Sequence, residues 1–440
     1  MLKYDAWVGS HSEGDENADA LFKRIISSFE NLKAKHKSGA LGYLNLPEQS
    51  LGPFFAFEKT LSTSIEKVLV IGIGGSSLGP RAVYRSWAEE GKRELLFSEN
   101  IDPASFVRLV SSLDPIKTMV CVITKSGSTL ETMSKFWNLY HRFEAELGER
   151  GKDHFVAITD PHKGPLRELV DKLGITSFPV PPEIGGRFSV MCAVGMLPLV
   201  LCGYPVERFL SGARDVVVSL NCCDVGRPNA IMRAVFDHYM AYQKGYENTV
   251  MMPYIDAFED FSEWFCQLWG ESLAKDLTVD GEKSNVSFTP LRALGTVDQH
   301  SQLQLYTSGR RTKHIVFIET EARLKDKVPL GLPDQLSHLE GKSFSEILFA
   351  ETRGTQAALN AAGVPTSRWV MDKQGPEEIA KLMMIYMIIT STLGDLYRIN
   401  PYDQPGVEFG KRVAHGYLGK KGCEEEKEIV NNLLPKYYKL

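Results

Sequence analysis

Apolar and polar positions along this chain fall into two alternating series. Ala20 to Lys35 repeats its apolar residues every 3.6 positions, which predicts a helix inside a helical lead-in of residues 1–47. Beyond Pro47 come the short apolar runs "KVLVIGIGG", "ELLFSEN", "TMVCVITKSG", "DHFVAITD" and "TSFPVP". They are separated by helical patterns such as Gly79 to Gly91 and Thr129 to Gly148. Strands alternating with helices make a parallel sheet covered on both faces. A second series follows "GGRFSVMCAVGMLPLVLCGY": "TVMMPYIDAF", a helix around Phe261 to Lys275, "HIVFIE", "TSRWVMD", and a long helix from Glu377 to Tyr397. The expected fold class is α/β, with two doubly wound parallel sheets in domains 48–210 and 211–440, dividing near Gly203 to Asn221. "EEEKEIVNNLLPKYYKL" reads as a C-terminal helix and tail.

Length agrees with more than one domain, since 440 residues exceed one ordinary core. A net charge of −5, from 50 basic and 55 acidic residues, gives no reason to expect nucleic acid or an anionic membrane as partner. Any anion must be caught locally. Seven scattered cysteines without C-x-x-C spacing read as a reduced, cytoplasmic protein. The polar N-terminus and the shortness of "VMCAVGMLPLVLCGY" and "MMIYMII" imply neither secretion nor membrane insertion.

One place for an anion is "VITKSGSTLETMSKF", where a buried strand ends in hydroxyls and turns at once into a helix. Ser128-x-x-Glu131 has the spacing of a capping box, which accounts for two of these residues. Thr124, Ser126 and Thr129 are left over, beside Gly127, whose backbone turns tightly. Small hydroxyls, a glycine and the positive end of a helix suit a phosphate. The second place is "VLVIGIGGSSLGPRAVY", a strand, glycine loop and helix. Its G-x-G-G-x-x-x-G spacing departs from the dinucleotide fingerprint at Ser77, and the G-x-x-x-x-G-K-[ST] loop is absent. Glu99, in "FSENIDP", keeps a nicotinamide-dependent oxidoreductase open as an alternative, although paired Ser76 and Ser77 favour a small phosphorylated ligand.

Together these segments resemble the glucose-6-phosphate isomerase family, of the compact bacterial type, over most of the chain. Four blocks carry the resemblance: "IGIGGSSLGP", "TKSGSTLET", "GGRFSVMCAVG" and "GDLYRINPYDQPGVEFGK". "GESLAKD" and "GTVDQHSQ" follow the family's order. The resemblance implies two phosphosugar-binding (SIS-type) domains, a sugar-phosphate substrate, no cofactor and no metal. It also implies a homodimer in which His300 serves the neighbouring subunit's site. Gly127, where longer members carry an aromatic residue, and Pro182 before "EIGGR" depart from the family's pattern and bear on substrate preference.

Aldose–ketose isomerisation moves a proton between C2 and C1 through an enediol, so it needs a base, a ring-opening acid and compensation for oxyanion charge. The family's base matches Glu271, which a helical wheel puts at the edge of the face formed by Phe261, Trp264, Phe265, Leu268 and Ser272. Trp264 is expected to shoulder the carboxylate and raise its pKa. From spacing alone Glu271 reads more readily as a solvated helix-edge residue, and the resemblance reverses that order. His300 matches the ring-opening histidine, although a Thr296-x-x-Gln299 cap would leave it merely in a helix's first turn. Lys411 matches a lysine near the ring oxygen, although it could simply pair with Glu408. Arg187 matches the group that stabilises the enediolate, and Gln267 and Gln404 match substrate contacts. Ser76, Thr124, Ser126 and Thr129 match the phosphate contacts, with Lys125 and Gly75 acting through their backbone. Hydroxyls are expected there so that no lysine is buried beside the base. A non-catalytic phosphosugar sensor, the rival from another class, would need the hydroxyl loop but neither Glu271 nor His300.

Overall fold

The computed structural model describes residues 2–7, 16–87, 91–222, 229–322 and 325–433. Its ten strands are β1 (Lys3–Trp7), β2 (Lys67–Ile71), β3 (Glu94–Ser98), β4 (Thr118–Ile123), β5 (Phe155–Thr159), β6 (Thr176–Pro179), β7 (Asn248–Pro253), β8 (Thr289–Arg292), β9 (Lys313–Thr320) and β10 (Thr366–Met371). They form two five-stranded sheets. The first, β3-β2-β4-β5-β6, is wholly parallel. The second, β1-β10-β9-β7-β8, is parallel except for β1, which pairs antiparallel at its edge. Both sheets reverse their winding at the first strand of their series, β2 and β7. A crevice therefore opens at the carboxyl ends of these strands, where α/β sheets bind ligands.

The side chains explain the layering. Along β2, Val68 and Val70 face a large core shared with the second sheet, whereas Leu69 and Ile71 face a separate cluster on the outer side. On β9, Val316 and Ile318 face the shared core, and Ile315 and Phe317 an outer cluster. Period-two alternation with both sides apolar is what a sheet covered by helices requires. The long helix Pro376–Leu396 runs through the shared core; 89% of its most apolar window is buried within the protein, so its length and composition serve packing.

Three features depart from the sequence reading. The lead-in contains β1 as well as the helix Glu16–Lys37, and β8 was not anticipated. Both are short edge strands, the first half polar and the second carrying Pro290, as edges tolerate. The stretch expected to divide the domains lies largely within a helix, Val206–Cys222, packed on Pro376–Leu396. A Cβ at Gly212 would come within 2.0 Å of the Glu377 carbonyl oxygen, so this glycine permits close helix contact rather than a flexible link. A boundary at 210–211 would cut that helix. The tail, residues 434–440, lies outside the described residues.

Candidate active site

The hydroxyl loop follows β4 and the glycine loop follows β2, and these two strands pair directly, Ile71 beside Val122. Thr124 is buried, and its hydroxyl lies 2.8 Å from that of Thr129 and 3.5 Å from that of Ser126. The expected capping box is not formed. The helix begins at Leu130 with Thr129 as its N-cap and no side-chain cap, while the Ser128 hydroxyl donates to Ser126 Oγ at 3.3 Å. Thr129's hydroxyl is drawn instead into the loop's own cluster. Gly127, at φ +68°, has no room for a side chain, since a Cβ would meet the Leu166 amide at 2.8 Å. Lys125 turns its ammonium away, donating to the carbonyls of Pro182 and Ile184 at 2.7 and 2.8 Å. Burial draws its pKa down, with Asp160 and Glu183 opposing.

The glycine loop is built for close approach. A Cβ at Gly75 would lie 2.3 Å from the Gly186 carbonyl oxygen, and one at Gly74, where φ is +57°, 2.8 Å from Gln267 Nε2. The two glycines thus let the loop carrying Ser76 press against the segment holding Arg187 and the helix holding Gln267. Glu99 is already engaged: its carboxylate accepts from Arg81, whose guanidinium also contacts Asp260 and Glu263. A carboxylate tied into that network is poorly placed to receive a ribose hydroxyl, which disfavours the nicotinamide alternative.

At the other end of the site, helix Glu259–Leu273 turns Phe261, Trp264, Phe265, Leu268 and Ser272 into the core, as the wheel predicts. Glu271 stands in its last turn with a side chain 30% exposed. The contacts of its carboxylate are polar: Oε1 accepts from Gln267 Nε2 at 3.1 Å, and Oε2 lies 3.4 Å from Arg187 Nη1. The Trp264 shoulder is therefore not what holds the base. Trp264 lies two turns earlier, fully buried and tilted against Phe261.

Arg187 is itself buried and fully engaged. Nε donates to the Ser272 hydroxyl at 2.7 Å, Nη1 to Gln404 Oε1, and Nη2 to the carbonyls of Pro401 and Asp403 at 2.6 and 2.8 Å. Burial lowers its pKa while Glu271 and Asp403 oppose that shift. The hydrogen bonds thus gather Arg187, Gln267, Glu271 and Gln404 from distant parts of the chain.

His300 and Lys411 stand apart from this constellation. His300 is exposed on helix Gly295–Ser308, and the described residues give its ring no hydrogen-bond partner. The Thr296–Gln299 cap is absent: Asp298 accepts the Leu294 amide at 2.7 Å, and Gln299 accepts from the Tyr254 hydroxyl at 2.9 Å while donating to Glu351. Lys411 lies on the exposed helix Glu408–Tyr417 and pairs with Glu408 at 2.7 Å. A wide cavity opens beside Glu271, walled by Lys35, Lys275, Asn400, Asp403 and Gln404 among others; the hydroxyl loop does not line it. No group of three or more His, Cys, Asp and Glu among the described residues could hold a metal ion.

Sequence reasoning missed Ser272 as a ligand of Arg187, and it missed Lys275. The Lys275 side chain is 6% exposed, and its ammonium donates to the Glu271 carbonyl at 2.7 Å and the Asp403 carbonyl at 2.5 Å. This overturns the expectation that no lysine is buried beside the base. Its position four residues after Glu271, at the end of an apolar helix, was the available signal.

Comparison with known proteins gives a consistent answer. The family model described as phosphoglucose isomerase matches residues 56–431. A glucose-6-phosphate isomerase of Carboxydothermus hydrogenoformans is 35% identical over 433 residues, covering 95% of this chain and 93% of its own. One from Rubrobacter xylanophilus is 37% identical over 399 residues, covering 87% and 90%. A Thermus thermophilus structure, solved as a hypothetical protein, superposes with a TM-score of 0.84 at 32% identity, covering 92% of this chain and 96% of its own. A glucose-6-phosphate isomerase from Chlamydia trachomatis shares the fold, with a TM-score of 0.83 at 22% identity over 98% and 92% of the two chains.

Proposed function

This chain belongs to the phosphoglucose isomerase family, and from that premise we propose how its residues divide the work of interconverting glucose 6-phosphate and fructose 6-phosphate, an aldose–ketose isomerisation of glycolysis and gluconeogenesis. Glu271 takes the proton from C2 of the opened aldose and returns it to C1. Gln267 fixes one carboxylate oxygen, which sets the direction of the other. Arg187 compensates the charge that develops on the enediolate oxygen, and because burial and five acceptors fix it beforehand, little reorganisation is needed as the reaction proceeds. Gln404, tied to Arg187, contacts the sugar.

At the far end, the hydroxyls of Ser76, Thr124, Ser126 and Thr129, with the uncapped amides of the helix at Leu130, hold the phosphate. Lys125 and Gly75 contribute backbone there, since the Lys125 ammonium is bound elsewhere and Gly75 is buried against Gly186.

The observation that carries this reading is the hydrogen-bonded set of base, glutamine and arginine, whose members come from segments 84 positions apart. Glu271→Gln keeps the size and hydrogen bonding of the side chain and removes the base. Isomerisation followed by a coupled assay should fall about 10²–10⁴-fold while substrate still binds. Activity near that of the wild type would overturn the assignment.

The ring-opening acid is His300 of a neighbouring copy in a homodimer. Two observations support this: the His300 ring is free and exposed among the described residues, and the space beside Glu271 is wide. The same helix exposes Val297 and Leu305, at 61% and 54%, as an interface would. Lys411 reaches the sugar by leaving Glu408, an exposed pair with little energy to lose. A cytoplasmic setting agrees with the five cysteines that are free among the described residues, Cys121, Cys192, Cys202, Cys266 and Cys423.

A further inference from the structure

Glu271 occupies an awkward place for a base. It lies in the last turn of helix Glu259–Leu273, where carbonyls lose their intrahelical partners and the backbone frays. The Gly270 carbonyl is taken by the Ala274 amide at 3.3 Å. The Glu271 carbonyl is taken by a side chain, the ammonium of Lys275, at 2.7 Å.

That ammonium has three N–H groups and three acceptors: the Glu271 carbonyl, the Asp403 carbonyl at 2.5 Å and the Asp403 carboxylate at 3.1 Å. An ammonium whose side chain is only 6% exposed, at the wall of the cavity, is held there by satisfying its donors, and here they are satisfied. The Asp403 carbonyl also accepts from Arg187 Nη2. Two buried cations therefore converge on one peptide oxygen, directly before Gln404.

We propose that Lys275 is a positioning residue that locks the end of the base-bearing helix to the Pro401–Gln404 segment, so that Glu271 and Gln404 keep a fixed spacing across the reacting carbons. It touches no reacting atom and acts through the Glu271 backbone and the Asp403 peptide. The inference rests on Glu271 being the base. A shift of about 1 Å between reacting groups can cost about 100-fold in rate, so such a lock would register in turnover before it registered in binding.

The test compares Lys275→Met, Lys275→Gln and Glu271→Gln in the full chain. Kinetics are measured alongside the affinities for two probes: an open-chain polyol phosphate, which resembles the substrate, and a sugar-phosphate hydroxamate, which resembles the planar enediolate. Lys275→Met should lower kcat by about 10- to 100-fold, leave polyol-phosphate affinity within about twofold, and weaken hydroxamate binding in proportion to kcat. Lys275→Gln keeps an uncharged amide NH2, two donors in place of three, and should fall between. Wild-type kcat in Lys275→Met, or equal weakening of both probes, would overturn the proposal. Should Lys275→Met not fold, the same ratio in Lys275→Gln decides. If Glu271→Gln is inactive while the Lys275 variants match wild type, the lock alone fails; if Glu271→Gln is active, the assignment of the base fails.

Discussion

Arg187 gives its Nε–H to the Ser272 hydroxyl at 2.7 Å, one residue beyond the carboxylate it also faces. Ser272→Ala leaves that buried N–H without an acceptor, which should cost about 1–3 kcal/mol of stability. Arg187→Lys keeps the charge and loses the planar fork that reaches Gln404, Pro401 and Asp403 together. Its kcat should fall by about 10²–10³. Steady-state kinetics beside denaturant unfolding separate the two effects, and unchanged turnover in Arg187→Lys would show that the enediolate charge is met elsewhere.

Ser126→Ala combined with Thr129→Ala removes two hydroxyls from the loop after β4 and takes away Thr124's 2.8 Å neighbour. Each hydrogen bond lost to a charged phosphate should cost roughly 1.5–3 kcal/mol of binding. Calorimetry with inorganic phosphate and with the sugar phosphate should both register the loss, and the buried Thr124 hydroxyl, left without either partner, should lower folding stability by about 1–3 kcal/mol. Equal affinity in wild type and variant would mean that the phosphate sits in another place.

Assembly can be tested by complementation. Glu271→Gln homodimers lack two bases, and His300→Ala homodimers lack two acids. A mixed dimer has one site lacking both groups and one site intact if His300 crosses the two-fold axis. Refolding equal amounts together gives half mixed dimers, so about a quarter of wild-type activity should return. Activity that stays at the mutants' level, with mixed dimers verified by mass, would place His300 in its own chain's site or outside the mechanism.

His238 supplies a pH test remote from the chemistry. Its ring is fully buried against Trp269, His314 and Tyr386, and among the described residues neither nitrogen has a hydrogen-bond partner. Burial first, and His314 second, hold its pKa well below the usual histidine range. In the unfolded chain the ring gains a proton below about pH 6.5, whereas the folded ring does not until far lower, so acid favours unfolding by up to about 1.4 kcal/mol per pH unit for this group. His238→Phe removes the linkage. Its stability relative to wild type should therefore rise as pH falls from 6.5 towards 5. Asp237, raised to about 6, has the opposite sense, but it is present in both proteins and cancels in the comparison. A stability difference that stays flat from pH 7 to 5 would contradict this account.

The strands of both parallel series were legible because strands buried on both faces write continuous apolar runs, as β4 does with all six residues buried. β1 and β8 were not, since edge strands need little apolar side-chain area. The base, the arginine and both glutamines came from family-like blocks, and their convergence on one another could not be seen in spacing alone. Lys275 escaped notice because a lysine at a helix end usually means a solvated cap; what buries it is Asp403, 128 positions away. The reading of Trp264 left out the polar partners: Trp264 lies on the expected face seven residues before Glu271, whereas Gln267 and Arg187 supply the carboxylate's hydrogen bonds.

The pairing of β1 with β10 sets a timetable for synthesis. Lys3 aligns with Val370 and Trp7 with Thr366, so β1 must wait for β10, the last of the ten strands in chain order. At about 5–20 residues per second the ribosome needs roughly 20–70 s to supply that partner. The first sheet, complete by Pro179, can close long before. Through that interval β1 carries an unclaimed strand edge, and its alternation of exposed and half-buried residues, "KYDAW", keeps it from being a sticky one.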